Sequence, residues 1–129
     1  TGKIIRQQKV QIDEQDDAGS LHDRMMLLGA DLVEETIESI RRSEIKTVKQ
    51  VQLMSPGIKL HPAPKIFKAD CEIDWEQPIE NIYNFIRGLS PYPVAYTHFI
   101  SPSGDEILVR IFQTSKETHS HNKQIGQTV

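Results

Sequence analysis

Residues 43–68, SEIKTVKQVQLMSPGIKLHPAPKIFK, constrain the fold more than any other stretch of this chain. They sustain neither a helical nor a strand periodicity. Pro56-Gly57 is a turn signal. Pro62 and Pro64 have no backbone N–H to donate and hold the chain extended. The short apolar pieces VQLM and IKL can supply only edge strands or lie along a neighbouring surface. A 129-residue chain interrupted in this way is expected to form two structural units with a connector between them, the boundaries falling at residues 1–45, 46–68 and 69–129.

The connector is also where the charge changes sign. The net charge is −3. Residues 1–45 hold 6 basic and 10 acidic side chains, whereas residues 46–129 hold 9 basic and 8 acidic. Between Lys46 and Lys68 there are five lysines (Lys46, Lys49, Lys59, Lys65, Lys68) and no Asp or Glu. Attraction for a polyanion depends on local rather than total charge, so a positive stripe on an acidic protein points to phosphate. The plainer reading of the same stripe is a solubilising linker.

On the N-terminal side, Lys3–Ile12 reads as a strand with a polar middle. Ser20 is the expected N-cap of a helix running from Leu21 to about Arg42, with Asp23 completing an imperfect capping box. Leu21, Met25, Leu28, Leu32, Val33, Ile37 and Ile40 recur at helical spacing, and Arg41 and Arg42 suit its C-terminal dipole. On the C-terminal side, Asp74 is the expected N-cap of a second helix, with Pro78 in its first turn and Ile79, Ile82, Tyr83 and Ile86 on one face. Gly88 is expected to end it, and Pro91 and Pro93 to prevent its resumption. Val94–Ile100 and Ile107–Thr114 read as a hairpin around SPSGDE. Ile125–Val129 is expected to open a further strand.

Complete active-site signatures are absent from the pattern. There is no phosphate-binding glycine loop and no G-x-S-x-G. His119 and His121 would share a strand face, but no Cys or carboxylate at suitable spacing completes a metal site. His22 reads as a surface histidine at a helix start. The single Cys71 cannot form an internal disulfide and fits a reducing compartment, with the cytoplasm expected. No apolar run reaches the roughly 20 residues needed to cross a bilayer. The chain does not begin with Met, and is expected to be an excised fragment.

Two stretches add a resemblance. APKIFKADCEIDW, followed by IRGLSPYPVAYT, resembles the C-terminal domain of the methionyl-tRNA formyltransferase family. The matching residues are Lys65, Lys68, Ile73, Asp74, Trp75, Ile86, Arg87, Pro91, Pro93, Ala95 and Thr97. TGKIIRQQKVQI is similar to a strand near the end of that family's catalytic domain, and AGSLHDRMMLLGADLVEETI to its last long helix. The resemblance implies an α+β chain: the terminal strand and long helix of a Rossmann-like formyltransferase domain, an extended linker, then a helix and a partial OB-like β-barrel.

It also implies a parent enzyme that transfers a formyl group from 10-formyltetrahydrofolate to methionyl-initiator tRNA in translation initiation. The family's catalytic Asn, His and Asp are expected upstream of Thr1, so no catalytic, cofactor-binding or metal-binding residue is assigned here. The chain's expected share is tRNA binding. Lys65 and Lys68 come first, since they match basic connector positions. Lys59, Lys49 and Lys46 follow on charge, then Arg87, whose alternative is an ion pair with Glu80 or Asp74. Arg110 and Lys116 are lesser candidates from the strand region. Trp75, Tyr92 and Tyr96 offer either stacking or packing surfaces. A barrel short of strands exposes edges, so self-association is a further expectation. Two other readings remain at this point: a related formyltetrahydrofolate-using hydrolase or sugar-nucleotide formyltransferase, and an interaction domain with no RNA role.

Overall fold

The computed structural model describes residues 2–118, 120 and 122–127. It mixes helices with two small antiparallel sheets, an α+β chain. One compact unit comprises the chain up to Asp13 together with Leu21–Pro64. The other comprises Glu14–Ser20 together with the chain from Lys65 onward. The division therefore falls at Pro64/Lys65 rather than in a free-standing connector, and a short N-terminal segment joins the C-terminal residues.

In the first unit, β1 (Lys3–Ile4) pairs antiparallel with β2 (Val48–Lys49). The strand expected over residues 3–12 is cut to two residues because only Lys3 and Ile4 meet a partner. Beyond them, side chains bond to the long helix: Arg6 donates to Glu35 Oε2 at 2.9 Å and to Ser39 Oγ, and Arg24 donates to the Gln11 carbonyl at 2.7 Å. That helix, α1, spans Ala18–Arg41. Asp17, not Ser20, caps it. Its Oδ1 accepts the Ser20 N–H at 2.7 Å while Ser20 Oγ accepts the Asp17 N–H, a reciprocal box set three residues earlier than expected. At the other end Ser43 takes φ 58°. The Ser43 N–H then reaches Ile40 O and the Glu44 N–H reaches Ser39 O, the Schellman pattern built on serine instead of glycine.

None of the side chains of α1 is buried, and Met26, Val33, Ile37 and Ile40 lie more than half exposed. The short α2 (Gln50–Leu53) follows β2 directly. Pro56-Gly57 makes the expected turn, with Gly57 at φ 79° and the Ile58 N–H bonded to Ser55 O.

The second unit has a core of its own, formed by Cys71, Ile73, Ile86, Leu89, Ala95 and Tyr96. A 3-10 turn, Lys68–Cys71, opens it. Asp70 Oδ2 accepts the Phe67 N–H at 2.8 Å, and the turn delivers Cys71 inward to 2% exposure. Asp74 lies well before the helix it was expected to cap. It accepts the Glu76 N–H and Gln77 Nε2 instead, and these bonds hold its carboxyl below the ordinary 3.8. Pro78 stands at the cap position, and α3 runs Ile79–Leu89. Gly88 is inside the helix; Ser90 and Pro91 end it, because proline cannot supply the next N–H.

β3 (Ala95–Ile100) and β4 (Glu106–Ile111) form the expected hairpin, in register Ala95↔Ile111 to Ile100↔Glu106. Only the first half of β3 is buried. The Ile73 N–H reaches Tyr96 O at 2.9 Å, tying the entry segment to that half. Residues 14–20 are bound into the same unit: Tyr83 Oη donates to Glu14 O, Arg87 Nη1 to Asp16 O, and the Gly19 N–H to Ser90 O. The strand expected from Ile125 is instead a turn over its described part, with Gly126 at φ 81° and the Gln127 N–H on Gln124 O. Thr128, Val129, His119 and His121 lie outside the described residues, and with them the proposed histidine pair.

Candidate nucleic-acid interface

Among the described residues, several cations are paired with carboxylates. Arg6 pairs with Glu35, Arg41 and Arg42 pair with Glu38, and Lys116 sits 3.0 Å from Glu14 Oε1 and 2.9 Å from Glu80 Oε2. Among the described residues, Lys46, Lys49, Lys59, Lys65 and Lys68 make no ion pair with a carboxylate, and all five are exposed. The acids that follow Lys65 and Lys68 in sequence are engaged elsewhere: Asp70 caps the 3-10 turn, and Glu72 accepts from Tyr96 Oη and lies 3.2 Å from His98 Nδ1.

Each unit presents its own cationic surface. In the first, Lys49 stands opposite Lys3 across the β1–β2 pair. Facing like charges repel. Lys3 was not visible as a candidate from sequence, since its pairing partner lies 46 positions away. In the second unit, Lys65 Nζ lies 5.5 Å from the ring centre of Phe67, and Lys68 Nζ 6.0 Å from that of Tyr96. Cation–π contact holds each ammonium at a defined place without neutralising it. Arg110, opposite Tyr96 on β4, is exposed on the same wall.

Within the second unit there is a groove of about 280 Å³ whose lining includes Phe67, Lys68, Tyr92, Pro93, Tyr96 and Arg110. Tyr96 forms its buried side. Burial, and then the Glu72 carboxylate, push its phenol above the ordinary 10.0, so it stays a donor at neutral pH. The groove combines basic and aromatic side chains with the apolar Ile66, Val94 and Leu108, and aromatic faces beside cations are suited to nucleotides.

Two expected contacts have other duties. Arg87 donates to Asn84 Oδ1 at 2.8 Å and to Asp16 O at 2.8 Å, and lies over the Tyr83 ring. Glu80 is paired with Lys116. Lys116 lies between two carboxylates, Glu14 and Glu80. Trp75 gives its indole N–H to Thr97 Oγ1 at 2.9 Å, which places it in the packing of the unit. His22 is an exposed side chain beside Asp23, as anticipated.

The architecture and this surface define a class. A model of the family described as formyl transferase, C-terminal domain, matches residues 65–129, half of the chain, beginning at the residue where the second unit resumes. The chain belongs to that family. It is similar along nearly its whole length to proteins named methionyl-tRNA formyltransferase. That of Parabacteroides distasonis is 44% identical over 126 residues, covering 98% of this chain and 39% of that protein. That of Bacteroides thetaiotaomicron is 42% identical over 129 residues, covering 100% of this chain and 40% of that protein. The chain thus spans about 40% of the length of the curated relatives it matches.

Proposed function

We propose that this chain is part of a methionyl-tRNA formyltransferase and that its share of the work is to hold the RNA. One observation carries this: the cations expected to meet phosphate, Lys46 to Lys68, are unpaired with carboxylates among the described residues, while Arg6, Arg41, Arg42 and Lys116 are paired. A lysine without an internal counter-ion gives up little on meeting a phosphate and releases counterions on doing so. Lys65 and Lys68 lead, then Arg110, with Lys59, Lys49, Lys46 and Lys3 on the other unit. Arg87 serves the fold of the second unit.

The exposed apolar face of α1 fits the same reading. Met26, Val33 and Ile37 line an open groove along that helix. We assign it as the seat for the remaining part of the relatives' length, α1 itself being read as the end of a Rossmann-like catalytic domain. The second unit we read as an incomplete OB-like barrel. In the full enzyme 10-formyltetrahydrofolate is a co-substrate. No step of formyl transfer is assigned to these residues. The compartment proposed is the cytoplasm. The relatives' printed names favour this reading over a hydrolase or a sugar-nucleotide enzyme.

The test is binding of methionyl-tRNA as salt is varied. The logarithm of the association constant is expected to fall linearly, by at most about seven ions' worth of slope if every named cation engages, and Lys65→Ala with Lys68→Ala to reduce that slope by roughly two. An unchanged slope removes the two lysines from the interface. Salt-independent or absent binding removes the RNA role altogether.

A further inference from the structure

We infer that the groove between the 3-10 turn and the hairpin is a slot for one unpaired nucleobase, so that the second unit reads a flexible end or loop of RNA besides gripping phosphate. The inference rests on the RNA reading above and goes further, to the chemistry of a single subsite.

Phosphate attraction needs cations alone, yet this groove is walled by rings. Tyr92 is 85% exposed and Phe67 is 62% exposed, large apolar surfaces left in water at the mouth. Tyr92 sits between Pro91 and Pro93, which limit its backbone freedom, and the Pro93 ring is part of the wall. Exposed rings on a stiff backbone lose little entropy when a flat ligand stacks on them. Lys68 and Arg110 stand beside the rings, donors able to meet a base edge or the phosphate next to it. The nearby acids do not oppose an anion at full strength: Asp70 is bonded to the Phe67 N–H, and Glu72 is bonded to Tyr96 and close to His98. A paired base is stacked on both faces within its duplex and cannot enter. An unpaired one can.

The experiment compares a blunt RNA hairpin, its loop closed by a non-nucleotide linker so that every base is paired, with the same hairpin bearing a short unpaired 3′ extension that carries 2-aminopurine, titrated with the whole chain at low salt. The extended hairpin is expected to bind more tightly, with quenching of the 2-aminopurine fluorescence as the base stacks. Tyr92→Ala is expected to weaken binding of the extended hairpin by roughly 5- to 100-fold and abolish the quench, while leaving the blunt hairpin and the salt slope unchanged. Tyr92→Phe is expected to restore both. Phe67→Ala gives an independent second reading of the same slot. Equal affinity for the two hairpins, with no quench and no response to Tyr92→Ala, overturns the slot and leaves the phosphate reading standing. Failure of both hairpins to bind overturns the two together.

Discussion

The indole N–H of Trp75 donates to Thr97 Oγ1 at 2.9 Å, across 22 residues of sequence, and so fastens the turn before α3 to the buried half of β3. Thr97 is 6% exposed. Thr97→Val keeps the shape and removes the acceptor, and is expected to lower stability by about 0.5–1.5 kcal/mol. Trp75 is the only tryptophan, so its fluorescence in a urea titration reports the second unit directly. An unaltered midpoint would show that water already serves the indole.

Two glycines of α1 are expected to respond to alanine with opposite signs. A Cβ on Gly29 meets nothing within 4 Å, and Gly29→Ala should stabilise the helix by about 0.8–1 kcal/mol. A Cβ on Gly19 comes to 2.7 Å from Pro91 Cδ, inside the second unit, and a proline ring has little room to yield. Gly19→Ala should therefore destabilise despite the better helix propensity. Thermal melts followed by circular dichroism check both, and a stabilising Gly19→Ala refutes the close approach.

Lys116 joins Glu14 to Glu80, and the pH dependence of that clamp has a definite sign. Its hydrogen bonds to Glu80 and Glu14 raise the Lys116 pKa above the ordinary 10.5, and the Lys116 bond lowers Glu14 below the ordinary 4.5. The lysine's contribution is full below its unfolded pKa and disappears as pH rises through the folded one. The carboxylate's contribution is full above its unfolded pKa and disappears as pH falls through the folded one. Lys116→Met should thus lower the melting temperature of the second unit across the neutral range. The difference from the parent chain should shrink toward strong acid and strong alkali. A difference that does not vary with pH would mean that the lysine acts through its methylenes.

Arg87 separates a structural cation from an RNA-binding one. Arg87→Gln removes the bonds to Asp16 O and Asn84 Oδ1 and is expected to cost about 1–3 kcal/mol. The salt slope of RNA binding should stay at the parent value. A slope reduced by about one, with stability intact, would return Arg87 to the interface.

Local rules read along the chain place several elements well. The spacing of Leu28, Leu32, Ile37 and Ile40 marks α1, Pro56-Gly57 marks a turn, and the apolar runs around SPSGDE mark the hairpin. Caps and ends are displaced because they depend on competing partners. Asp17 and Ser20 can each cap, and the reciprocal bond selects Asp17. Asp74 is diverted by Gln77. The candidate site divides in the same way. The run of lysines without acids is visible from composition alone. Which cations remain unpaired is decided by contacts such as Lys116 with Glu14, 102 positions apart.

What the order of residues determines by itself is therefore short-range: where helices and turns form, where prolines divide the chain, and where positive charge accumulates. Folding in three dimensions decides the rest. It binds residues 14–20 to α3, buries Cys71 beside Ile86, consumes Arg87 and Lys116 internally, and gathers Phe67, Tyr92 and Arg110 around one groove. The physical reason is range: periodicity and capping act over a few residues, whereas burial, charge pairing and groove walls are set by neighbours that only a closed chain brings together.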